Sequence, residues 1–182
     1  MGPMTQEQLF SAALMIQDPW FISNIDFDPV KGRLDIAIDF TRGASFYYED
    51  KELGIAGSFK AYDTVLKTWR HLNFFQFECY LHAHVPRVDI GEGKVRRVHT
   101  PWEGKVQGFT LLMEALILTL SKNMPVNKVA ESLKVTGNRI WRLLAKYIGI
   151  RQLFPGIRFQ GSRAFQSPFR RVSGSLFNRA DR

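Results

Sequence analysis

The sequence predicts an α+β protein with an N-terminal helix and an antiparallel β hairpin or ribbon, followed by a three-helix helix-turn-helix unit and a basic, disordered tail. Three observations carry this. Residues 34–40 alternate apolar and polar side chains at the strand period, and residues 126–148 repeat apolar side chains at the helical period in two short runs. The third is one-sided charge. Residues 1–100 carry 11 Lys+Arg against 13 Asp+Glu, whereas residues 134–182 carry 11 against 1, so the net charge of +8 arises from the second helical run onward. At 182 residues and 45% hydrophobic content the chain can build one ordinary domain or two small ones. The expected division is a β-ribbon domain over 5–100, a helix-turn-helix domain over 105–149 and a tail over 150–182.

The elements follow in order. Leu9, Phe10, Ala13, Leu14 and Ile16 fall at roughly helical spacing over residues 6–17, and Asp18-Pro19 ends that helix. Residues 21–27 and 34–40 flank D-P-V-K-G-R as a hairpin, with Leu34, Ile36, Ile38 and Phe40 on the buried face. Residues 41–62, with Gly43, Gly54 and Gly57, read as a loop. A strand over 76–90 puts Phe77, Cys79, Leu81, Ala83 and Val85 on one face and Glu78, Tyr80, His82 and His84 on the other, and residues 95–99 form a short strand after G-E-G-K. Residues 109–122 form a strong helix with Leu112, Leu116, Ile117 and Leu120 on its apolar face.

Residues 126–148 then read as a helix-turn-helix. Val129, Ala130 and Leu133 stripe a first short helix, Val135 plugs the turn, and Ile140, Leu143, Leu144 and Tyr147 stripe a second, opened by Thr136 or Gly137. Lys134 occupies a turn position that needs a permissive backbone. Asn138, Arg139, Trp141, Arg142 and Lys146 are expected to face outward. Beyond them, residues 152–182 hold six Arg, five Phe and one acid, with no persistent hydrophobic period.

Other clusters have plainer readings. Asp26, Asp28, Asp35 and Asp39 recur at the strand period, as on a solvated sheet face. His82 and His84 share a strand face without a cysteine or acidic partner at ligand spacing, so no metal is expected. Cys79, the only cysteine, lies on the apolar face and reads as core, not as a thiol activated by His71. One cysteine permits no intrachain disulfide, which favours a reducing cytoplasm. The apolar run 109–120 is short and interrupted by Glu114, so a buried helix is expected and no membrane span.

The block W-R-H-L-N-F-F-Q-F-E-C-Y-L-H-A-H-V-P-R-V (69–88), then Pro101-Trp102, F-T-L-L-M-E-A-L (109–116) and M-P-V (124–126), resembles bacterial insertion-sequence transposases of the ISL-three family over about residues 39–148. The resemblance implies a zinc-ribbon module and a helix-turn-helix that bind the element's terminal inverted repeats, ahead of a catalytic Asp-Asp-Glu domain. The family's two cysteine pairs fall near Tyr48 and Lys51 and near Ile90 and Gly93, which are no zinc ligand set. A zinc-free ribbon is therefore expected, with apolar packing in place of the metal or with the ribbon partly unfolded. Asp-Asp-Glu chemistry needs three carboxylates to hold two metals about 4 Å apart. After Ile148 the sequence offers only Asp181.

The expectation is thus a non-catalytic, sequence-specific protein for double-stranded DNA, without cofactor or metal, that acts at inverted repeats as a regulator of transposition or transcription. Asn138, Arg139 and Arg142 would contact bases, since Arg pairs with guanine and Asn with adenine in the major groove. Lys134, Lys146 and Arg151, with Arg87, Arg96 and Arg97 on the ribbon, would contact phosphates. The alternative is a protein-interaction or inhibitor module on the same fold, with an intact transposase or another protein as partner.

Overall fold

The structure, a computed structural model, describes residues 4–148. The expected tail over 150–182 and the phosphate contact assigned to Arg151 lie outside the described residues. The order is α1 (Gln6–Leu14), β1 (Trp20–Asp28), β2 (Arg33–Phe40), β3 (Ser45–Asp50), β4 (Ile55–Arg70), β5 (Glu78–Asp89), β6 (Val95–Arg97), α2 (Leu111–Ser121), α3 (Val126–Leu133) and α4 (Gly137–Ile148). This is the α+β class, with the strands gathered before the last three helices.

The sheet is larger than a ribbon. Its six strands run β1-β2-β5-β4-β3, with β6 also on β5. Most pairs are antiparallel, but β2 pairs β5 in parallel from Arg33↔Glu78 to Ile38↔Ala83. The stretch 41–62, read as a loop, instead holds β3 and the first half of β4. Its glycines mislead because Gly43 and Gly54 sit at positive φ in the turns at either end of β3, while Gly57 lies within β4 opposite Tyr48. The first helix ends at Leu14, three residues short of the expected end, where left-handed Met15 turns the chain and Ile16 N–H closes on Ser11 O.

Alternation fixes which face of each strand is buried. Leu34, Ile36 and Ile38 on β2 and Cys79, Leu81, Ala83 and Val85 on β5 are buried, together with Trp20, Phe46, Trp69 and Trp102. The Trp102 ring meets Trp20 and Trp69 edge-on, at centroid distances of 5.1 and 5.9 Å. Burial pushes the Cys79 thiol up to about 12, as suits a small core hydrophobe. On the opposite face His82 lies 2.5 Å from Asp35 and 2.9 Å from the Thr68 hydroxyl, and His84 lies 3.4 Å from Asp39. Those aspartates thus partner side chains across the sheet.

A second core joins Phe109, Met113, Ile117, Val129, Leu133, Ile140 and Leu143. Each such apolar side chain, fully buried, contributes roughly 1.5–3 kcal/mol. Thr110 caps α2 by accepting the Met113 N–H. Leu112, expected on the buried face, is instead 51% exposed, because the inward positions of the first turn are taken by Met113 and Glu114. Among the described residues no helix is long and apolar enough to cross a membrane.

Candidate nucleic-acid interface

Helices α3 and α4 meet through the turn the sequence predicts. Val129 and Leu133 are buried, Ala130 and Val135 pack beside them, and Lys134 takes a left-handed φ of 53° as the cap of α3. The chain re-enters a helix at Thr136, whose carbonyl accepts from Arg139 and Ile140 at 3.0 and 3.4 Å.

Two adjacent rows on α4 have different surroundings. Asn138, Arg142 and Lys146, at i, i+4 and i+8, are all exposed, and Lys134 is exposed at the turn. Trp141 beside this row is half-buried. Arg139, Leu143 and Tyr147, at the same spacing one residue on, turn inward. Arg139, expected at base edges, lays its guanidinium 3.9 Å from the centroid of Phe109 and donates from Nη2 to Gly108 O at 2.7 Å. Burial lowers its pKa from the ordinary arginine value.

The segment 103–110 is strapped along the inner side of α4 at both ends. Glu114, wholly buried, accepts from the backbone N–H of Lys105 and Val106 at 2.9 and 2.6 Å and from the Tyr147 hydroxyl at 2.7 Å. Burial first, and the bond to Glu114 second, push the Tyr147 hydroxyl up to about 12. Two glycines allow this close approach. A Cβ on Gly104 would lie 2.3 Å from the Glu114 carboxyl carbon, and one on Gly108 would lie 2.9 Å from Arg139 Nη2. The strap also meets the sheet, since Gly108 O accepts from Arg70 N–H at 2.9 Å and His71 Nδ1 lies 2.9 Å from the Thr110 hydroxyl. The sequence reading puts Tyr147 on the apolar stripe of α4 and Glu114 in a buried helix, but misses their mutual hydrogen bond and the strap held by Phe109 and both glycines. Their signal is the lone acid inside an apolar helix.

Residues 98–148 match the helix-turn-helix domain of transposase family ISL3. The matched stretch takes in the strap as well as all three helices, so the loop ahead of α2 belongs with the helix-turn-helix. Neither the curated proteins nor the solved structures include a match to this chain. A helix-turn-helix of this family supports DNA binding.

The remaining expected contacts are placed on the sheet. Arg87 pairs with Asp63 through Nε at 2.7 Å and through Nη2, and Arg97 makes a two-pronged pair with Glu103 at 2.7 and 2.8 Å. Arg96 is exposed, and its Nη1 donates to Val95 O at 3.3 Å. Tyr48 and Ile90, two of the four positions where the resemblance leads us to expect cysteine pairs, pack against the sheet core, while Lys51 and Gly93 are exposed. None of these four residues offers the thiolate, imidazole or carboxylate that zinc takes as ligand.

Proposed function

We propose that the chain is a sequence-specific binder of double-stranded DNA that lays α4 in the major groove, without catalysing strand transfer itself. The carrying observation is the exposed row Asn138, Arg142 and Lys146 on the second helix of a helix-turn-helix. Asn138 and Arg142 read base edges, and Lys146 with Lys134 holds phosphates on either side. Arg139 acts from the inner row as the strut that sets the tilt of α4. Arg96 is the ribbon cation best free to reach a phosphate, because Arg87 and Arg97 already hold carboxylates. We read the ribbon as zinc-free, a reading supported by the packing of Tyr48 and Ile90 against the sheet core. Its sites are the inverted repeats of a mobile element, where occupancy regulates transposition or transcription.

The test is fluorescence anisotropy on random duplex DNA at two salt concentrations, with Asn138→Ala/Arg142→Ala alongside. Binding that weakens steeply with salt and falls in the double variant supports the reading, since displaced counterions make phosphate binding salt-dependent. Binding that ignores both salt and the double variant defeats it.

A further inference from the structure

Beside the strap, β4 has an open edge. A cleft of about 480 Å³ lies between β4 and the strap, with Lys67, Trp69, Arg97, Glu103, Lys105 and Gly108 among its walls. At its end the edge is already paired: Arg70 N–H donates to Gly108 O at 2.9 Å, and Arg70 O accepts from Thr110 N–H at 3.1 Å. Arg70 and Phe109 so form one parallel bridge. The next residue, His71, turns its N–H the other way, to Cys79 O at the start of β5. Backbone groups alternate along a strand, so those of Thr68 and Leu66 point into the cleft as those of Arg70 do. The pairing of β3 with β4 stops at Lys60. Among the described residues no main-chain hydrogen bond reaches Leu66 or Thr68 from the cleft side.

We propose that this edge docks an extended, acidic segment of a partner protein, added as a short strand between β4 and the strap. Strand addition satisfies N–H and C=O groups together. A phosphate backbone would use the N–H groups but meet the carbonyl oxygens with like charge, so a nucleic-acid strand fits this edge less well. The acidic character follows from the walls. Glu103 is taken by Arg97, whereas Lys67 has no carboxylate partner among the described residues, and neither has Lys105, whose ammonium lies 4.7 Å from the centroid of the Tyr147 ring. Lysines beside an open edge guard it against indiscriminate pairing. They admit a strand that brings carboxylates. The cleft uses none of the exposed row on α4, so docking here is separate from DNA contact.

The full chain is titrated against a fluorescein-labelled ten-residue peptide of alternating Glu and Val. Two control peptides carry N-methyl groups on alternate backbone amides, or Lys in place of Glu. The Glu/Val peptide binds, N-methylation weakens it about tenfold or more by removing ladder hydrogen bonds, and Thr68→Pro does the same. Near-UV circular dichroism checks that Thr68→Pro folds. Lys67→Glu/Lys105→Glu is the second variant, and it inverts the preference between Glu and Lys peptides. The proposal is overturned if the Glu/Val peptide does not bind at low salt, if N-methylation is without effect, or if charge reversal weakens duplex DNA and not the peptide.

Discussion

Asn138 and Arg139 are neighbours in sequence and stand about 100° apart around α4. The first heads a row open to solvent, and the second heads a row fixed to Phe109, Gly108 and Glu114. Both rows carry a cation, so charge alone does not distinguish a residue open to a ligand from one that holds the helix in place. Phase does: Arg139 precedes Leu143 and Tyr147 by one and two turns, whereas Arg142 precedes Lys146. The inner row should therefore register in folding and the outer row in binding.

The largest effect belongs to the inner row. Leu143→Ala should cost about 2–5 kcal/mol of stability, as for other fully buried leucines, measured by urea denaturation. The inner side can also be loosened by acid, without mutation. Burial and the neighbouring Arg70 cation lower the His71 pKa from 6.5 to about 4. Between those values the unfolded chain binds a proton that the folded chain does not, so stability is full above pH 6.5 and falls as pH drops toward 4, by up to about 1.4 kcal/mol per unit. His71→Gln should flatten that slope in a pH series of denaturation curves. Asp35 loses its contribution lower, because although burial opposes it, Arg33 and His82 together hold its carboxyl below the usual value.

The outer row comes next in size. Arg142→Ala should weaken the preferred site by about 1–3 kcal/mol and relax preference at one base pair, with stability changed by no more than about 0.5 kcal/mol. Arg139→Ala is the sharper comparison. It should lose about 1–2 kcal/mol of stability through its ring contact and its hydrogen bond. Base preference, read by selection on a random duplex pool, should stay as it is. A variant that folds normally but selects different bases would move Arg139 to the outer row.

What the sequence reveals follows from where periodicity survives. The α3–α4 pair and the buried face of β5 are legible because each repeats a contrast between apolar and polar residues at one period. The β3–β4 hairpin has little contrast. Outward Ala56 and Ser58 are small, and inward Ile55, Gly57 and Phe59 are only half-buried, so neither face declares itself. The parallel pairing of β2 with β5 joins residues more than forty positions apart and leaves no local mark. On the interface, the outward positions of Asn138, Arg142 and Lys146 can be read from helical phase alone. The placement of Arg139 needs the same phase carried one turn back from Leu143, and Glu114 has meaning only when a lone acid in an apolar helix is asked what it holds.

The smallest effect is the one that separates the two ends of the outer row. Lys146 is exposed two turns beyond Asn138, where a helix entering the major groove by its first turns has brought its later turns toward the phosphates. An ammonium there meets one phosphate and releases about one counterion, so Lys146→Ala should lower the slope of log affinity against log salt by about 1 and weaken every duplex alike. The ranking of sequences in the selected pool should not move. If Lys146→Ala instead shifts that ranking at constant salt slope, its side chain reaches a base edge, and the reading row extends along the whole of α4.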